Sequence, residues 1–157
     1  MNWFNHFFFS LNLLLVFFKG EVSLSTMILF TVIFALLVDV DILIKLFIFK
    51  SKEKDLKTWT QEPFGVILIG LPAGLILQYL YGPPYLALVL IPYISHIFLD
   101  YITVHNVFPL APFSKKMVKT GFIKPKLWLK DLIDFSSLNE NYVLVLNLIV
   151  FVFLMIS

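Results

Sequence analysis

The chain contains no cysteine, which excludes disulfide staples and thiolate metal sites, though it says nothing of the redox compartment. Arginine is missing too, since all twelve strongly basic side chains are lysine. Bidentate guanidinium clamps on phosphate or carboxylate are therefore unavailable. Charge of either sign is scarce. Only 14% of the 157 residues are charged, against about 25% in ordinary soluble domains. A net charge of +2 is too small a basic excess to argue for nucleic acid as a partner. No internal repeat or low-complexity linker divides the chain.

What fills the space is apolar: 60% of residues are hydrophobic, and 18 of them are Phe. The composition is that of an integral membrane protein, read as a single membrane-embedded helical domain over residues 1–157. The apolar runs are Trp3–Phe18, Val22–Phe49, Phe64–Tyr81, Pro84–Val104 and Tyr142–Ile156. A span needs roughly 20 apolar residues, so the first and last runs are short enough to be partly interfacial. The second, interrupted by Asp39, Asp41 and Lys45, is too long for one upright helix and is expected to end near Val38. The expected fold is all-α: an integral membrane bundle of four to five transmembrane helices with a short amphipathic surface helix. That surface helix is read in Pro125–Phe135, where Trp128, Leu129, Leu132, Ile133 and Phe135 alternate with charges at helical spacing. A cleaved signal peptide is not expected, because the apolar start lacks a basic n-region and Lys19-Gly20-Glu21 is no small-residue cleavage site.

The lysines set the orientation. Lys45, Lys50, Lys52, Lys54 and Lys57 flank the second loop, and Lys115, Lys116, Lys119, Lys124, Lys126 and Lys130 lie in the fourth. With five alternating spans both loops fall on one side and only Lys19 on the other. The positive-inside rule then makes the chain a multi-pass cell-membrane protein with a cytoplasmic N-terminus. Lys19 alone, directly after the first span, argues the opposite way.

Within this apolar chain, His96 and Asp100 sit four residues apart in one run. Such spacing stacks both side chains on one helix face, and ionisable groups at membrane depth usually mark a site. The lysine topology brings His6, Asp39, Asp41, His96, Asp100 and Thr103 to the same leaflet. Two imidazoles and three carboxylates make an N/O donor set suited to a divalent ion such as Zn, Mn or Fe(II). With an open position, such an ion lowers the pKa of a bound water. Asp39 and Asp41 cannot share a face of a regular helix. Thr103, on the His96/Asp100 face, is expected to bond a ligand carboxylate. Thr60 is a candidate cap for the third helix, and Gly70-x-x-x-Gly74 with Pro72 reads as close packing and a kink. The bland reading of His96/Asp100 is a hydrogen-bonded tie between helices; that of His6 is an interfacial histidine.

These positions resemble a known pattern. Met1–Ser10 with His6, Asp39-Val40-Asp41, the segment Ser95–Thr103 as His-x-x-x-Asp-x-x-Thr, and Pro112-Phe113-Ser114 are together similar to the YdjM-like, LexA-binding, inner-membrane-associated family of predicted membrane-bound metal-dependent hydrolases. The chain is a divergent member by this resemblance. Where the family carries His-Arg-x-x-Thr-His, this chain has Leu56-Lys57-Thr58-Trp59-Thr60-Gln61, without either imidazole.

The resemblance implies His6, Asp39, Asp41, His96 and Asp100 as metal ligands. It implies a metal-dependent hydrolase; the bilayer position suits an amphiphilic lipid ester or phosphoester, with Asp39 or Asp100 expected as general base and Lys57 expected to stabilise developing negative charge. The alternative is a non-catalytic membrane protein, either a degenerate family member or a small subunit of a larger membrane complex. Leu56 and Gln61 motivate it. Membrane lipid, and on the second reading other membrane subunits, are the expected partners.

Overall fold

In the computed structural model, residues 3–36, 38, 59–103, 105–107, 109–110, 113–114, 118–121, 123 and 140–157 are described. The architecture is helical. Helix α1 spans Trp3–Phe18 and α2 spans Leu24–Thr31, prolonged by a π-helical turn over Val32–Leu36. Helix α3 covers Pro63–Tyr81, α4 Tyr85–Ile102 and α5 Glu140–Ile156. Two three-residue strands, β1 (His105–Val107) and β2 (Val118–Thr120), pair antiparallel beyond the end of α4. The sequence had given that loop no strands. Of the helices, α3 and α4 are long and apolar enough to cross a membrane; α1, α2 and α5 are shorter.

Local chemistry explains the joints. Gly20 (φ 88°) turns the chain between α1 and α2, and Gly82 (φ 82°) between α3 and α4, a left-handed conformation that glycine adopts without steric cost. Ser23 caps α2, its side chain accepting from the Thr26 N–H. Within α3 a π turn over Val66–Gly70 leads into Pro72. Proline has no N–H to give the carbonyl four residues back, and a widened turn accommodates the lost bond. Pro92 lies inside α4, which stays α-helical through it, and Ser95 donates its hydroxyl to the Pro92 carbonyl at 2.9 Å. Thr60 is not the cap of α3: it lies in a 3-10 turn over Trp59–Gln61, and Glu62 stands at the N-cap without a capping bond.

The core lies where α1, α2 and α4 meet. Leu11, Leu14 and Leu15 pack with Met27, Phe30, Leu88 and Val89. Helix α3 packs on α4, its glycines turned inward: Gly70 lies against the Tyr93 ring and Gly74 against Leu86. The small-residue motif thus closes a seam within the chain. Helix α5 packs on α1 and shows an outer face of Leu146, Ile149, Phe153 and Ile156, all more than 60% exposed. Lipid is the solvent such a face suits.

Three polar links join α1 to α5. Asn5 Nδ2 donates to the Glu140 carbonyl at 2.9 Å, Asn12 Nδ2 to the Asn147 carbonyl at 2.9 Å, and Lys19 Nζ to the Leu154 carbonyl. Each link advances seven residues on both helices, so α1 and α5 run parallel with a heptad rhythm. Against α4 the order reverses, with Ser10 bonded to Ser95 and His6 beside Asp100; these two helices are antiparallel.

Candidate metal centre

The antiparallel seam of α1 and α4 carries the site. His6 comes from the first turns of α1, and His96 and Asp100 from successive turns of α4. All three are buried, at 1%, 0% and 5% exposure. His6 Nε2 lies 3.4 Å from Asp100 Oδ1, and His96 Nε2 lies 3.8 Å from Asp100 Oδ2. The imidazoles stack, with centroids 4.0 Å apart and planes inclined by 18°.

The proton on His96 can be placed. Its Nδ1 meets the Ala35 carbonyl, and a carbonyl oxygen only accepts. Nδ1 therefore carries a hydrogen, and in the neutral ring, the form that binds a metal, the Nε2 lone pair lies on the Asp100 side. Ala35 belongs to the π turn after α2, where the altered bonding register exposes a carbonyl to an outside donor. A backbone carbonyl on the remote nitrogen of a metal-binding histidine is the usual way to fix tautomer and ring orientation. His6 has no such anchor: both of its ring nitrogens are buried without a hydrogen-bond partner.

These residues fit a divalent ion by donor chemistry. One ligand atom from each lies within 4.8 Å of the others. Two ligands on a tetrahedral ion at 2.0–2.2 Å stand about 3.3–3.6 Å apart. The 3.8 Å between His96 Nε2 and Asp100 Oδ2 corresponds to a somewhat wider angle. Imidazole and carboxylate together suit Zn, Mn or Fe(II).

A second polar group lies at the start of α3. Glu62 is fully buried and accepts from the Tyr101 hydroxyl at 2.6 Å. Tyr93 donates its hydroxyl to the Thr60 carbonyl at 2.7 Å. Gln61, where the family pattern has histidine, is buried at 1% exposure.

Of the residues singled out from sequence, the fold brings His6, His96 and Asp100 together. Asp39, Asp41 and Lys57 lie outside the described residues, as do Leu56, Thr58 and the Pro125–Phe135 segment. Thr103 is buried, but its hydroxyl donates to the Leu99 carbonyl at 2.7 Å, a helix-end bond to its own backbone and not the expected bond to a ligand carboxylate. Sequence reading missed Ala35, which contributes only a carbonyl. It also missed the Ser10–Ser95 hydroxyl pair beside the histidines, although two serines in apolar helices were a readable signal.

A family model described as YdjM inner membrane protein matches residues 1–157. Neither a curated protein nor a solved structure matches the chain.

Proposed function

Because the chain belongs to the YdjM inner membrane protein family, we propose that it is a membrane-embedded, metal-dependent hydrolase. Its substrate would be an amphiphilic lipid ester or phosphoester, held at the cytoplasmic interface. One observation carries this reading: a buried His6/His96/Asp100 cluster in which the Ala35 carbonyl fixes the tautomer of His96.

The cluster would hold the ion, with Asp39 and Asp41 completing the ligand set that the family pattern implies. When bound, the ion supplies Lewis acidity toward the scissile carbonyl or phosphoryl group. The Ala35 carbonyl holds the proton of His96 on Nδ1. An Asp100 or Asp39 carboxylate takes the proton of the attacking water, and Lys57 offers its ammonium to the charge that develops. Burial of all three clustered side chains keeps bulk water away, which strengthens each electrostatic interaction.

The bilayer setting supports an amphiphilic substrate and membrane lipid as partner. A multi-pass topology draws support from the helix directions, and a cytoplasmic N-terminus from the lysine distribution. Helix α1 runs parallel to α5 and antiparallel to α4, as the first, fifth and fourth of five alternating crossings would.

The test is turnover of lipid ester and phosphoester substrates by purified protein in nanodiscs, with divalent metal supplied and then chelated. Metal-dependent cleavage abolished by Asp100→Asn and by His96→Ala is the expected result. Metal-free protein of undiminished activity would overturn the reading. The buried Gln61, at a family histidine position, favours a second reading: a non-catalytic member that binds metal, alone or within a larger membrane complex. One ion per chain with no turnover would select it.

A further inference from the structure

Three side chains meet at the cluster, yet their geometry does not let all three share one ion. An imidazole nitrogen binds a metal through a lone pair in the plane of its ring. His6 and His96 are stacked 4.0 Å apart at 18°. With the rings nearly parallel, their in-plane lone pairs run side by side, and an ion reached by both would lie between the planes and off each of them. That direction points along the π face, where no lone pair stands. In this arrangement one imidazole can coordinate and the other cannot.

Three further observations say which is which. His96 has its Nδ1 hydrogen anchored on Ala35, so its Nε2 lone pair is set. His6 has neither nitrogen so fixed. The carboxylate of Asp100 is also divided, with Oδ1 facing His6 at 3.4 Å and Oδ2 facing His96 at 3.8 Å. We infer that His96 Nε2 and Asp100 Oδ2 hold the ion, while His6 is a positioning residue that turns an Nε2–H toward Asp100 Oδ1. This assignment rests on the metal reading above and departs from the family-derived expectation that His6 is a ligand. It also makes the buried Nδ1 of His6 an unused acceptor and not an unused N–H donor. A hydrogen-bonded ligand carboxylate is the normal companion of a fixed histidine, and losing such a companion costs about 10–100-fold in metal affinity.

The experiment counts imidazoles. Full-length protein in nanodiscs, carrying His105→Ala so that the third histidine does not contribute, is loaded with Cu(II), and its nitrogen couplings are read by pulsed EPR. One coordinated imidazole is expected in this background, one after His6→Gln and none after His96→Gln. Copper affinity should fall about 10–100-fold in His6→Ala and recover most of that loss in His6→Gln, which keeps a donor. Two imidazoles in the background protein, falling to one in His6→Gln, would overturn the assignment while leaving the metal reading intact. Absence of any specific copper signal would overturn both. The first count needs no substitution at the cluster, so a variant that fails to fold does not obscure the result.

Discussion

Three glycines on α3 face α4, and alanine at each should have a different cost. A Cβ at Gly74 would come within 2.7 Å of Leu86 Cδ1, the far end of a flexible, half-buried side chain. A rotamer change relieves that contact, so Gly74→Ala should keep the helix-propensity gain of about 1 kcal/mol and leave stability unchanged or raised. At Gly70 the Cβ would meet Tyr93 Cδ1 at 2.8 Å, where 3.4–4 Å is ordinary contact. That ring is buried and its hydroxyl is held by Thr60, so it cannot swing away. Overpacking costs about 1–3 kcal/mol; less the propensity gain, Gly70→Ala should destabilise by about 0–2 kcal/mol. At Gly65 the Cβ would collide with the Thr60 carbonyl and lie 2.6 Å from the Tyr93 hydroxyl. There the overpacking term is joined by the Tyr93–Thr60 bond, about 1 kcal/mol, for a net loss of about 1–3 kcal/mol. The assay is reversible denaturation of purified protein in mixed micelles, comparing the three variants under one condition. The predicted order of stability is Gly74→Ala, then Gly70→Ala, then Gly65→Ala. Equal stability of Gly65→Ala and Gly74→Ala would refute the claim that Tyr93 is clamped along two turns of α3.

Other outcomes follow from single contacts. Tyr101→Phe removes one donor from the fully buried Glu62 carboxylate and should cost about 1.5–3 kcal/mol, the range for hydrogen bonds to charged groups, read in the same denaturation assay. Saturating metal at 100 times its dissociation constant should stabilise the protein by about 2.7 kcal/mol, seen as a raised thermal midpoint that chelator reverses and Asp100→Asn eliminates. Asn12→Leu deletes the bond to the Asn147 carbonyl but also removes the buried, unpartnered Asn12 Oδ1. Since hydrogen bonds within membranes average about 0.6 kcal/mol, its denaturation midpoint should shift by less than that of Tyr101→Phe.

Helix positions were legible because hydropathy is a local property. The apolar run Phe64–Tyr81 became α3 within a residue at its start, and Pro84–Val104 became α4. His96 and Asp100 were legible as a pair because four-residue spacing on a helix dictates a shared face. His6 was not legible from spacing: the lysine topology put it in the same leaflet and the family pattern attached it to residues ninety positions away, and the α1–α4 seam shows why. The π turn that supplies the Ala35 carbonyl left no side-chain signature, since what matters there is a backbone oxygen. Thr103 sits on the face expected of it, yet a threonine at a helix end finds its own Leu99 carbonyl before it can reach a neighbour. Asn5, Asn12 and Lys19 repeat every seven residues in plain view, but a heptad has meaning only once its partner helix is known.

That heptad has a consequence for the order in which the chain is made. Asn5 and Asn12 bond to carbonyls of α5, a helix made only after α1 to α4. Until α5 arrives, the amides of α1 have no such acceptors, and in a bilayer an unmet amide favours tilting, shallow insertion or a chaperone. The helix that carries His6 should therefore take its final rotation only once α5 has been made, and a nascent chain stopped before Glu140 should hold an unassembled site.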